Sequence, residues 1–109
     1  WRAGKLADKT ATAMTSAENM HGGQETTLLT QYITFMHWGC ILVPTGYTDQ
    51  SVYDSGGNPY GVSVTSNDGA PPDAEETAIR HQARRLVDVT ARLKSSERNR
   101  AYTARRELA

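Results

Sequence analysis

A net charge is the first thing this chain lacks. Twelve lysines and arginines are balanced by twelve aspartates and glutamates over 109 residues. No global field therefore draws it toward nucleic acid or an anionic membrane. Cysteine is nearly absent. Cys40 stands alone, which excludes an intramolecular disulfide and fits a reducing, cytoplasmic compartment. Long hydrophobic runs are missing too: the most apolar stretch, residues 28–43, is broken by Gln31, Thr34, His37 and Gly39 and cannot cross a bilayer as a helix. No signal peptide is visible. Nowhere do cysteine and histidine fall at metal-ligand spacing, and no internal repeat or low-complexity tract is present. The chain opens on Trp1 instead of methionine, and it holds few strand-forming segments for a sheet that must cover both faces and edges. It therefore reads as a portion of a longer protein, with a processed or excised product as the alternative.

What the chain does hold is one βαβ unit. Residues 10–16 (Thr-Ala-Thr-Ala-Met-Thr-Ser) read as a strand of small side chains suited to close packing by helices. Residues 17–23 then turn the chain, with Asn19 and the Gly22-Gly23 pair supplying the turn chemistry. From Glu25, apolar residues recur at Leu28, Leu29, Tyr32, Ile33 and Met36, the spacing of a helix with one buried stripe. Glu25 suits the positive end of its dipole, and Gly39 is placed to end it. Cys40-Ile41-Leu42-Val43 reads as a parallel strand buried on both faces, with Cys40 a small buried hydrophobe and Pro44 closing the run.

Residues 45–72 form a long, turn-rich connection in which only residues 60–65 have strand character; connections of this length are more often functional than idle. Asp73 is expected to cap a second helix, with Glu76 at the capping-box position. Ile79, Ala83, Leu86, Val87 and Thr90 would form its inner face, leaving Arg80, Arg84, Arg85 and Arg92 toward water. Residues 94–109 read as a basic, polar extension, helical or frayed. Consecutive parallel strands need a crossover of this kind, and ligands of such units bind beyond the carboxyl ends of the strands. Function is therefore sought in residues 17–23, where glycines let backbone N–H groups approach a ligand.

Several stretches together resemble a known family. Trp1-x-x-Gly4-x-Leu6-x-x-Lys9, the turn from Thr15-Ser16 to His21-Gly22-Gly23-Gln24-Glu25, the run from His37-Trp38-Gly39 to Val43-Pro44-x-Gly46-Tyr47, and Pro59-Tyr60-Gly61 are similar to the C-terminal half of the WrbA-type NAD(P)H:quinone oxidoreductases of the flavodoxin-like superfamily. The likeness runs in register to about residue 93. It implies a doubly wound α/β fold with a parallel sheet of order 2-1-3-4-5. This chain would carry the last two core strands and two helices: residues 1–93 as the C-terminal part of the FMN-binding domain, and residues 94–109 as an extension outside it. The resemblance also implies FMN as cofactor, NAD(P)H and quinone as substrates, and a homo-oligomer, dimer or tetramer, whose sites are completed by neighbouring subunits.

By the same resemblance, Ser16, Ala17, Glu18, Asn19, Met20, His21, Gly22 and Gly23 wrap the isoalloxazine edge, and Trp1 lines the substrate pocket. His37 corresponds to a histidine lying against the flavin, though the second histidine of the family's His-His-Gly pair is Trp38 here. The family's phosphate-binding loop follows the first strand and would lie outside this chain. Each residue also has a plainer reading. Residues 16–23 could be an ordinary strand-to-helix turn, His37 a satisfied helix-terminal residue, and Tyr60 a loop anchor instead of a subunit contact. Two rival functions stand beside the oxidoreductase: an FMN-binding electron carrier, and an interaction module without flavin. No nucleic-acid or membrane partner is expected.

Overall fold

Parallel pairing sets the frame. The computed structural model describes residues 2–66 and 69–108. Its elements run β1 (Thr10–Ala11), β2 (Thr15–Ala17), α1 (Gln24–His37), β3 (Ile41–Leu42), α2 (Gln50–Asp54), β4 (Ser63–Thr65) and α3 (Asp73–Leu108). β1 pairs in parallel with β3, Thr10 against Ile41, and β2 pairs in parallel with β4, Ser16 against Val64. The fold class is thus α/β with parallel strands.

The expected single strand over residues 10–16 is divided, but the backbone bonds show one extended run. Lys9 O and Ala11 O accept from Ile41 N and Val43 N; Thr15 N donates to Val62 O, and Ala17 O accepts from Ser66 N. All four positions are odd, and alternate peptide groups of a strand point to the same edge. One run, residues 9–17, therefore carries both ladders. Its partner leaves the sheet at Pro44 and returns at Val62.

Gln82 fills the gap between the two ladders. Its side chain is 1% exposed. Nε2 donates to Ala13 O (2.7 Å) and to Thr12 Oγ1 (2.8 Å), while Oε1 accepts from Val62 N (2.9 Å). A primary amide carries the same donor and acceptor as a peptide group, so it substitutes for the missing strand. Tyr32 Oη accepts from Ala13 N on the other side (3.2 Å). These side-chain partners interrupt the regular ladder at Ala13. Gly61 lets the returning strand close: a Cβ there would stand 2.2 Å from Ala13 O.

The helices cover opposite faces. Ala13, Leu28 and Tyr32 form one buried cluster with Phe35 and Leu42 against it, and Val62, Val64 and Ala78 form another with Ile79. Thr10 Oγ1 meets Thr90 Oγ1 of α3 at 2.6 Å. Odd positions of the run and Leu42 thus face α1, while even positions with Val62 and Val64 face α3, as strand alternation requires.

Both expected helix stripes are narrower than the sequence suggested. In α1, Leu28 and Tyr32 are buried, but Leu29, Ile33 and Met36 are 44–60% exposed. Along α3, Ala78 and Gln82 are the buried positions among those described, whereas Val87 is 64% exposed and Ala83 is exposed. The register was set by a polar residue that a hydrophobic pattern overlooks. Arg85, expected in water, is half-buried, with Nε donating to Pro44 O (3.1 Å). Cys40 is likewise half-exposed, its thiol donating to Leu6 O (3.6 Å), and is not the buried hydrophobe expected.

Element ends follow local chemistry. Gly39, at φ 75°, ends α1: Gly39 N bonds Met36 O and Cys40 N bonds Phe35 O, the paired closure of a Schellman motif. Asp73 is the first residue of α3 and not its cap; Glu76 N closes the first turn on Pro72 O, leaving Asp73, Glu75 and Glu76 to favour the dipole by charge. α2, unexpected from the sequence, is capped by Asp49, whose carboxylate accepts from Ser51 N (3.0 Å) and Ser51 Oγ (2.6 Å). Those two bonds, with a smaller contribution from His81, hold the Asp49 carboxyl below its ordinary pKa. Residues 94–108 continue α3 as helix.

Candidate functional site

Beyond the carboxyl end of β2 the chain must reverse to start α1, and the turn is built from its own backbone. Asn19 Oδ1 accepts from His21 N (2.8 Å), and Asn19 O accepts from Gly22 N (2.8 Å). That closure brings Gly22 against β2: a Cβ there would lie 2.9 Å from both Ala17 Cβ and Asn19 O. Gly23 takes the left-handed conformation at the helix N-cap (φ 73°, ψ 24°) with open space around its missing Cβ. Only glycine enters that region without strain.

Gln24 anchors the turn, a role that the sequence motif does not reveal. It is 8% exposed, and Nε2 donates to Thr65 Oγ1 (2.9 Å) and Asn19 O (3.3 Å), tying the turn to the end of β4. Its signal lay only in its place after the glycine pair.

The expected residues of the turn, 16–23, divide into three groups. Ala17 closes β2 and packs on Gly22, so the turn proper begins one residue later than expected. Glu18, Asn19, Met20, His21, Gly22 and Gly23 sit together in the exposed turn, Met20 at 71% exposure. Ser16 points to the α3 face and lines a cavity of about 350 Å³ with Met14, Val64, Ser66, Pro71 and Ile79, also at the carboxyl ends of the strands.

His37 is not brought to the turn. It is the last residue of α1, exposed, at the opposite end of a 14-residue helix, which puts it roughly 20 Å away at 1.5 Å per residue. Trp38 beside it packs on Phe35 with ring centroids 6.1 Å apart. Trp1 lies outside the described residues.

The turn offers donors without a partner of its own. Thr27 N to Gly23 O is the first helical bond, and no side chain caps α1. The N–H groups of the first turn therefore face outward, unsatisfied by the helix. Glu18 and Glu25 flank them, so the electrostatics favour neutral acceptor atoms over a strongly charged anion. Among the described residues no group of histidine, cysteine and carboxylate side chains could hold a metal ion.

No family profile matches the chain. Curated relatives do. It is 58% identical over 93 residues to an NAD(P)H dehydrogenase (quinone) of Deinococcus radiodurans, covering 85% of this chain and 46% of that protein. A protein of the same name from a Chelativorans species is 43% identical over 100 residues, covering 85% and 50%. Another from Geotalea uraniireducens is 35% identical over 100 residues, covering 85% and 49%. The resemblance seen in the sequence thus holds, and the chain spans about half the length of the curated relatives it matches.

Proposed function

We propose that the protein to which this chain contributes is an FMN-dependent NAD(P)H:quinone oxidoreductase with a doubly wound, flavodoxin-like fold. Residues 1–93 are the C-terminal part of its FMN-binding domain and residues 94–109 a basic extension. The observation that carries the reading is the exposed turn at the carboxyl end of a parallel strand, backed by an uncapped helix start. The name shared by the relatives supplies the reaction.

The residues fit one edge of such a cofactor. Ser16, Ala17, Glu18, Asn19, Met20, His21, Gly22 and Gly23 would hold it, the backbone N–H groups donating to carbonyl and nitrogen acceptors of a planar ring. Bound FMN supplies two-electron hydride transfer from NAD(P)H to quinone. The chain's share is to orient that ring and, through the Gln24 anchor, to keep the turn rigid. Trp1 is proposed as a stacking surface for the planar substrate.

His37 joins this site only across a subunit boundary. Because α1 separates it from the turn of its own chain, His37 and the turn can touch one cofactor only if two copies share it. A homo-oligomer is therefore part of the proposal. Leu29, Ile33 and Met36 form the uncovered strip of α1, and apart from the terminal His37 the helix carries one charged residue, Glu25. That strip is the surface we assign to self-association.

A cytoplasmic location accompanies this reading; no helix among the described residues is long and apolar enough to cross a membrane. The test is steady-state reduction of a benzoquinone by NADH or NADPH in the flavin-loaded full-length protein without added reductase. Rapid turnover is expected. A flavin-loaded protein that needs a separate reductase would instead be an electron carrier, and one purified without flavin would end the FMN reading.

A further inference from the structure

We propose that the groove between α3 and the chain following β3 is a binding site for a phosphate or pyrophosphate group. The groove is a cavity of about 290 Å³ lined by Thr48, His81, Arg84, Arg85, Asp88 and Arg92. Positions 81, 85, 88 and 92 lie on one face of α3. Arg84 flanks them.

Two of the lining side chains are held in place by residues 44–48. Arg85 Nε donates to Pro44 O (3.1 Å), which fixes the plane of its guanidinium. Thr48 Oγ1 donates to Thr45 O (2.7 Å), so its single proton is used there. The 2.7 Å contact between Thr48 Oγ1 and His81 Nε2 must then be donated by the imidazole. His81 thus carries a proton on Nε2, its ring orientation set by the threonine. Side chains fixed in advance lose less entropy when they capture a ligand.

The charge is only partly compensated. Arg84, Arg85 and Arg92 face a single lining carboxylate, Asp88, with Asp49 adjacent to His81. The ion pair of Arg80 with Glu76, at 2.9 Å, lies outside the groove. Since the whole chain is neutral, this excess is local. Planar guanidinium forks match phosphate oxygens two at a time. The volume sits at the low end of small-ligand sites, roughly 300–1,000 Å³, and suits a phosphate or pyrophosphate group better than a whole nucleotide.

The groove opens away from the unpaired strand edge. On α3 it occupies the flank toward residues 44–48, whereas Val87, Thr90 and Ala91 occupy the flank toward Thr10 and that edge. Completion of the sheet along the edge leaves the groove accessible. The proposal is independent of the quinone reading.

Calorimetric titration of the full-length protein with pyrophosphate at low ionic strength tests it, with inorganic phosphate and chloride at matched ionic strength as comparisons. Saturable pyrophosphate binding is expected, with weaker phosphate binding and none by chloride. Arg84→Gln and Arg92→Gln, both exposed side chains, should each weaken it about tenfold. Arg80→Gln, on the same helix outside the groove, should leave it unchanged. No saturable heat up to about 10 mM pyrophosphate overturns the proposal, as does equal binding by wild type and the Arg84→Gln/Arg92→Gln double variant. So does an oligonucleotide that binds at several sites more tightly than pyrophosphate, which would mark a nucleic-acid surface.

Discussion

Gln82 does for the sheet what a stretch of strand would otherwise do. Its amide satisfies Val62 N and Ala13 O in a buried gap where neither has another strand beside it. Leucine has nearly the same size but offers no hydrogen bond. Gln82→Leu should therefore cost about 2–6 kcal/mol, because two buried peptide groups lose their partners at roughly 1–3 kcal/mol each. Chemical denaturation measures the loss, and hydrogen exchange should show the Val62 amide losing protection first. A variant as stable as wild type would mean that the amide is not the link between the ladders. This residue also shows why part of the core was not legible in the sequence. Apolar periodicity picks out Ala83, Val87 and Leu86, but glutamine carries no hydrophobic signal, and only its partners on a split strand explain its burial. Thr45 is an opposite case: its hydroxyl is buried with no partner among the described residues, and we have no physical account of it.

At the scale of elements, the ends were more legible than the faces. The sequence puts Gly39 at the end of α1 because few residues other than glycine close a Schellman motif, and its φ of 75° agrees. A Cβ there would meet Ala7 only at ordinary contact distance, 3.5–3.6 Å. The penalty for Gly39→Ala is consequently conformational, about 1–2 kcal/mol for an alanine held in the left-handed region. Thermal unfolding should report it as a lowered Tm with unchanged helix content. No change in Tm would show that the end of α1 relaxes at no cost. The short β4 was anticipated within residues 60–65, whereas α2 was not, since its five residues carry little periodicity and depend on the Asp49 cap. For the turn after β2, the sequence supplied the residues and the glycines; it did not supply the Gln24 anchor or the distance that separates His37 from the turn.

The molecule as a whole is organised around an edge with no strand on it. Odd residues of the run 9–17 bond to β3, Val62 and β4, so the peptide groups of Thr10, Thr12, Met14 and Ser16 point the other way. No strand pairs there among the described residues; Gln31 Nε2 reaches Met14 O at 3.4 Å, a side chain in place of a neighbour. On the same flank, Leu86, Val87, Thr90 and Ala91 of α3 leave an apolar groove of about 320 Å³ against Thr10. An open edge beside an uncovered apolar helix flank is what remains when further strands and a helix of a sheet are supplied by other sequence. Two paired strands alone are marginal, and the relatives are about twice as long as the matched stretch.

On the reading proposed above, the same division separates the cofactor's ring from its phosphate. This chain holds the turn for the ring edge, and the charge-assisted bonds to the phosphate, each worth about 1.5–3 kcal/mol, come from the other half. Residues 1–109 alone should bind FMN at least about a hundredfold more weakly than the full-length protein, since two such bonds already amount to that factor. Quenching of FMN fluorescence, followed in parallel for the two proteins, measures the difference. Equal affinity would place the phosphate contacts within this chain, and the division of labour between the halves would have to be redrawn.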